Sequence, residues 1–196
     1  TGTGYAVEGD VLADGAKLAP GQMNEPLTVA LRICALCNDA KLDRTGKEVV
    51  VLGDPTEAAL IVVAEKAGME LLGCAWVVTL ERDYPRTAEV PFDSVSKRMA
   101  TVHTTKEGKT FAYVKGAPGA VLDACVSVLG ADGVTPMSKD ASATWRQRND
   151  ALAARALRVL GLAYRELPAE HGGHRHRDGD PRHRGREGVR GHGHHR

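Results

Sequence analysis

The sequence predicts an α+β fold, an antiparallel β-sheet flanked by helices, and two observations carry that expectation. Runs rich in β-branched and aromatic residues, Thr87 to Phe92, Lys97 to Thr105 and Thr110 to Lys115, follow one another closely, the last two about a turn containing Glu107-Gly108. Helix signals lie on both sides of that block, with Asp54-Pro55 upstream and Ala117-Pro118 downstream. Helices that bracket strands rather than alternating with them exclude a doubly wound sheet.

From Thr1 to Asn24, glycines, Pro20 and sparse apolar residues suggest an irregular entry, with Tyr5 to Val7 and Val11 to Leu12 extended. Leu27, Ala30, Leu31, Cys34 and Cys37 then recur at three- and four-residue spacing. That is one stripe of an amphipathic helix, with Asn24 as N-cap and Pro26 in the first turn. A short apolar run, Glu48 to Leu52, precedes a second helix capped by Asp54, started by Pro55 and stopped by Gly68. Trp76 to Glu81 reads as a further strand, Ala117 to Cys125 and Ser142 to Leu157 as helices, and Leu157 to Tyr164 as a final strand before Pro168.

At 196 residues, 42% hydrophobic and 26% charged, the chain suits one globular domain, residues 1–168, with a tail at 169–196. The tail holds seven of the 26 basic residues, four of the 25 acidic ones and seven of the eight histidines. It has one large aliphatic residue, Val189, and no aromatic, so it is expected to be disordered. Without the tail the net charge is slightly negative, which argues against nucleic acid or an anionic membrane surface as partners. No apolar run approaches the length of a membrane span and no secretory leader is legible, so the four cysteines read as free thiols of a reducing compartment.

For chemistry, the sequence has no GxxxxGK[ST] loop, and TGTG at Thr1 to Gly4 lacks the spacing of a dinucleotide fingerprint. A nucleotide could instead be held by its base, because an aromatic ring stacks on adenine for about 1–3 kcal/mol and nearby cations add to it. Phe92, Lys97 and Lys115 are the candidates, although on spacing alone Phe92 reads first as a core residue and Lys115 reads also as a solvated strand end. Glu57 lies three residues after Asp54, so a capping box at the helix start accounts for it without a ligand. Cys34 and Cys37 form a CxxC pair, but at helical spacing on an apolar stripe they are core thiols before they are a redox or zinc pair.

Four blocks occur in order: GDPTEAAL from Gly53, VPFDSVSKRM from Val90, YVKGAPGAV from Tyr113 and LRVLGLAYR from Leu157. Together they resemble the nucleotide-binding domain of P-type cation-transporting ATPases, over nearly all of residues 1–168. The run ICALCNDAKLD from Ile33 looks most like the calcium-pump branch. The resemblance implies that Phe92 stacks on adenine beside Lys97 and Met99, and that Glu57 accepts from the adenine amino group. It implies that Lys115 lines the pocket floor, that Gly116 permits close approach of the base, and that Arg158, with Leu160 packing nearby, reaches toward the phosphates. Two departures stand out: Ser94 occupies a position where many calcium pumps carry a phosphate-reaching arginine, and Gly119 replaces the acid of the usual KGAPE.

The resembled family keeps its phosphorylated aspartate in a DKTGT motif, which this sequence lacks. The expectation is therefore an excised cytoplasmic domain of a membrane-embedded pump, without direct membrane contact, that binds ATP or ADP and does not hydrolyse it alone. It would present the γ-phosphate to an aspartate of the phosphorylation domain, with that domain and the actuator domain as partners and Mg2+ acting in the intact pump. No catalytic or metal-ligating residue is assigned within it. The alternative is a free-standing metal-binding protein that uses the histidine-rich tail and the cysteines.

Overall fold

The computed structural model describes residues 4–19, 22–43, 45–46, 49–72 and 76–168. The tail expected to be disordered lies outside the described residues. A short hairpin of β1 (Leu12–Ala13) and β2 (Ala16–Lys17) leads into α1 (Glu25–Leu36). Asn24 caps α1 as its type and position require, its side chain accepting from the Leu27 N–H at 3.0 Å. The stripe of α1 ends in the deepest core, where Ile33 and Cys37 are almost fully buried.

A small ribbon of β3 (Lys41–Asp43) and β4 (Val50–Leu52) connects to α2 (Pro55–Leu72). Gly53, with φ at 108°, makes the turn before the Asp54 cap, and a Cβ there would press on the Ala40 backbone at 3.1 Å. The expected stop at Gly68 does not occur, because α2 runs through this glycine to Leu72. Gly68 is buried in the helix and is not among the residues of positive φ, so it makes no left-handed cap.

The expected strand at Trp76 to Glu81 is instead helix α3 (Trp76–Asp83). Burial explains the change: Val77 and Leu80, three apart, are buried while Val78 is 65% exposed. That is helical periodicity, and α3 packs against α1 and α2 rather than entering the sheet.

The central sheet contains β5 (Arg86–Asp93), β6 (Arg98–Thr104), β7 (Thr110–Gly116) and β10 (Gly161–Leu167), in the order β10-β7-β6-β5, all antiparallel. Between β7 and β10 lie α4 (Pro118–Ala124), the hairpin of β8 (Ser127–Gly130) and β9 (Gly133–Pro136), and α5 (Lys139–Ala153). Helix α5 starts three residues before the expected Ser142 because Ser138 caps it, accepting from the Ala141 N–H at 3.0 Å. Strand β10 begins at Gly161 rather than at Leu157.

On β6 and β7 alternate residues Met99, Thr101, His103, Tyr113 and Lys115 are buried, the two-residue period of a sheet with one covered face. Helix α1 lies against this face, with the Leu36 carbonyl 3.5 Å from the Thr101 hydroxyl. The edge strand β5 is exposed throughout, carries Pro91 and is broken by irregularities at Arg86/Ala88 and Val90/Asp93. Such features blunt an edge against further pairing.

Candidate functional site

One end of the sheet gathers the residues singled out by the sequence. In register across three strands, Met99 faces Lys115, which faces Leu162, and Arg98 faces Gly116, which faces Gly161. The first turn of α2 approaches the same end and places a Glu57 carboxylate oxygen 2.7 Å from the Lys115 ammonium. The two side chains are 17% and 7% exposed, so this is a largely buried ion pair. Lys115 is therefore not the solvated strand end that its sequence position also allowed.

Half of the expected capping box forms. The Asp54 carboxylate accepts from the N–H groups of Thr56 at 2.8 Å and Glu57 at 3.2 Å. These bonds, together with the nearby Arg158 charge, hold the Asp54 carboxyl below its ordinary range. The carboxylate of Glu57 does not return to the cap. One oxygen faces Lys115, and the other accepts from the Asp39 N–H at 3.2 Å. An attraction to a buried cation outweighs a solvent-exposed capping bond of about 1 kcal/mol.

Gly116 is required by packing. A methyl group there would overlap the Lys97 carbonyl oxygen and come within 2.8 Å of the Arg98 Cα. The Ala117 N–H donates to the same Lys97 carbonyl at 2.9 Å, which ties the PFDSVSKRM and KGAP blocks together. Lys97 reaches this position with a φ of 54°, held by a tight turn in which its N–H donates to the Asp93 carbonyl at 2.7 Å. The Asp93 carboxylate accepts from the Ser96 N–H at 2.7 Å, and that bond pulls its pKa below the usual carboxylate range.

Phe92 stands immediately before this turn on β5 and is 63% exposed, so the core reading of this ring does not hold. Arg158 is exposed in the segment that enters β10 and lies near enough to Asp54 to act on its charge. Leu160, half-buried, immediately precedes Gly161 and so sits beside Gly116. Met99 is 4% exposed and belongs to the hydrophobic core on the face it shares with Lys115, its cross-strand partner. The fold thus brings Glu57, Met99, Lys115, Gly116 and Leu160 to one end of the sheet, with Phe92, Lys97 and Arg158 at its rim.

Cys34 and Cys37 lie under the same floor. Burial pushes the Cys34 thiol up to about 11 against the opposing pull of Lys115, and it raises Cys37 too. Both remain neutral core thiols near neutral pH. Among the described residues, no group of three or more His, Cys, Asp or Glu side chains is placed to hold a metal ion.

Three residues of this neighbourhood carried no site expectation: Asn38, Asp39 and Arg86. Arg86 donates to the carbonyls of Asn38 at 2.6 Å and Leu36 at 3.3 Å, and pairs with Asp39 at 2.7 Å and Glu89 at 2.8 Å. A cation at the C-terminal end of α1 satisfies orphan carbonyls and opposes the helix dipole. A cavity of about 350 Å³ opens beside it, lined in part by Asn38, Asp39, Arg86 and His103 and by none of Glu57, Phe92, Lys97, Lys115 or Arg158.

The sequence profile of the P-type ATPase cytoplasmic domain N matches residues 27–186. The chain belongs to that family. The N domain is 33% identical over 163 residues to a calcium-transporting ATPase of Listeria monocytogenes, covering 81% of this chain and 17% of the relative. It is 39% identical over 165 residues to a probable cation-transporting ATPase F of Mycobacterium tuberculosis, covering 82% and 17%. It is 31% identical over 166 residues to the human calcium-transporting ATPase type 2C member 1, covering 83% and 17%. The chain spans about a sixth of the length of these relatives, as one cytoplasmic domain of a pump would. No helix among the described residues is long and apolar enough to cross a membrane.

Proposed function

We propose that this N domain binds ATP or ADP at the Lys115 end of its sheet and, within a longer cation pump, presents the γ-phosphate to an aspartate of the phosphorylation domain. P-type ATPases use ATP and Mg2+. The observation that supports the reading best is the Lys115 ammonium, buried and paired with Glu57 at 2.7 Å, whose remaining N–H groups have no acceptor among the described residues. A buried cation left in that condition fits a ligand that brings acceptors of its own, as adenine ring nitrogens do.

In this reading the Phe92 ring covers one face of the base, which accounts for an exposed phenylalanine on a protected edge. Glu57 takes the adenine amino group with the carboxylate that also faces Lys115. Met99, Gly116 and Leu160 form the apolar floor, and Lys97 and Arg158 supply positive charge toward the phosphates. One stack and a few exposed polar contacts must also overcome association entropy, so the expected Kd is of roughly millimolar order.

In this reading neither nearby acid serves as a nucleophile. Asp54 caps a helix and Asp93 closes a turn, so both carboxylates are engaged by backbone N–H groups. The domain alone is expected to bind ATP without turnover, the phosphoryl acceptor and magnesium ligands belonging to other parts of the pump.

An NMR or calorimetric titration of the chain with ATP, ADP, GTP and zinc tests this reading. Saturable binding of ATP and ADP that perturbs residues around Phe92 and Lys115 is expected, with no acid-stable label left by radiolabelled ATP. Absence of any nucleotide response, or labelling of an aspartate, would overturn it.

A further inference from the structure

We infer that Asn38 is a positioning residue of the nucleotide site, acting through Glu57; this deepens the nucleotide reading and rests on it. Asn38 is 8% exposed and its side-chain amide is fully engaged. Its Nδ2 donates to the Cys34 and Glu57 carbonyls, each at 2.9 Å, and its Oδ1 accepts from the Ala40 N–H at 2.9 Å. These bonds join the last turn of α1, the first turn of α2 and the entry to β3. An asparagine that only capped its own helix would make the Cys34 bond and stop there. The bond to the backbone of Glu57 fixes the spacing between the Asn38-Asp39 turn and the residue that faces Lys115.

The consequence falls on the next N–H group. Asp39 donates to Glu57 Oε2 at 3.2 Å while Oε1 lies 2.7 Å from Lys115. The carboxylate is shared between a fixed amide and an ammonium on a long flexible stem, so the amide sets its plane. Arg86 clamps the same turn from the far side through the Asn38 carbonyl and the Asp39 carboxylate. A chain of contacts thus runs from Arg86 through the turn to Glu57 and Lys115, and Asn38 is the link that spans two helices. Without its amide, the Cys34 and Glu57 carbonyls lose a donor and the turn is free to separate from α2.

Base selectivity in the full chain provides the test, because adenine offers an amino group where guanine offers a carbonyl. Asn38→Ala is expected to weaken ATP binding about five-fold and to change GTP binding less than two-fold, with Glu57→Ala giving the same pattern. A purely structural asparagine would weaken both nucleotides by one factor, and that outcome overturns the inference, as does a folded Asn38→Ala with the ATP affinity of the parent. Should Asn38→Ala fail to fold, Asn38→Ser, which retains one donor, is read by the same ratio. The Asp39 amide resonance supplies a readout without nucleotide and without touching Asn38. It should shift upfield in Glu57→Ala as its acceptor disappears, and a static resonance overturns the link between turn and carboxylate. Failure of the parent chain to bind ATP would sink the nucleotide reading, and this inference with it. An immobile Asp39 amide in a chain that binds ATP would sink the Asn38 link alone.

Discussion

The floor and the rim of the candidate site are built on opposite physical terms. At the floor, Lys115, Gly116 and Met99 are buried, each fixed by neighbours on other elements. At the rim, Phe92, Lys97 and Arg158 are exposed and contribute little to the folded state. A floor residue can therefore be removed only at a cost in stability, whereas a rim residue can report on binding alone. Proteins that hold a ligand loosely benefit from this division, because the preorganised part sets orientation and the exposed part sets contact area.

The largest effect expected from breaking the floor comes from Gly116→Ala. Its Cβ would overlap backbone rather than the end of a flexible side chain, so β6 and β7 must separate where Gly116 pairs with Arg98. A loss of about 3 kcal/mol in chemical denaturation is expected. A stability within about 0.5 kcal/mol of the parent would show that the Lys97 turn yields easily and that the floor is less rigid than its geometry implies.

Lys115→Met should cost somewhat less. The apolar stem is replaced almost in kind, but the Glu57 carboxylate loses its cation and retains the Asp39 N–H bond. Since Glu57 keeps some solvent access, the expected destabilisation is about 1–2 kcal/mol, below that of breaking a fully buried pair. Nucleotide affinity should fall as well. Unchanged unfolding curves together with lost binding would move Lys115 from the floor to the rim.

Phe92→Ala sharpens the contrast from the other side. An exposed ring on an edge strand should be dispensable to folding, so the thermal midpoint should stay put while ATP affinity falls roughly tenfold, in line with the loss of one stacking contact of about 1–3 kcal/mol. Intact binding in the folded variant would remove the stacking role, and a large fall in midpoint would mean that the ring packs in solution.

How much of this was legible follows the same division. Rim residues announce themselves in sequence because they belong to short contiguous blocks, PFDSVSKRM and LRVLGLAYR, whose members need no distant partner to be recognised. The Asp54 cap and the strand pairing about Glu107-Gly108 are likewise local, and both form. The floor is non-local: Glu57 meets Lys115 across 58 positions of sequence, and spacing alone assigned its carboxylate to a cap it does not make. Trp76 to Asp83 misled for a related reason. Its β-branched residues favour a strand, but docking against α1 and α2 rewards the buried pair Val77 and Leu80, and tertiary packing overrides propensity. Asn38 and Arg86 left only an asparagine after a helical stripe and an arginine before a strand as signals. Neither distinguishes a clamp from an ordinary loop.

The smallest effect lies at the far end of the sheet and asks whether stability can change without involving the floor or the rim. His103 is 2% exposed, with one ring nitrogen 2.8 Å from the Tyr84 carbonyl and the other 2.9 Å from the Thr101 hydroxyl. Burial lowers its pKa below the ordinary 6.5, aided by the Arg86 charge on the adjacent strand. The unfolded chain then takes up a proton that the folded chain resists. Stability should be fully present above about pH 6.5 and decline as pH falls below it. His103→Gln retains hydrogen-bonding capacity without a titrating ring, so the fall in thermal midpoint between about pH 7.5 and pH 5.5 should be smaller in the variant than in the parent. Equal falls in the two chains would mean that His103 is protonated as readily folded as unfolded, and that its bonds open enough to admit water.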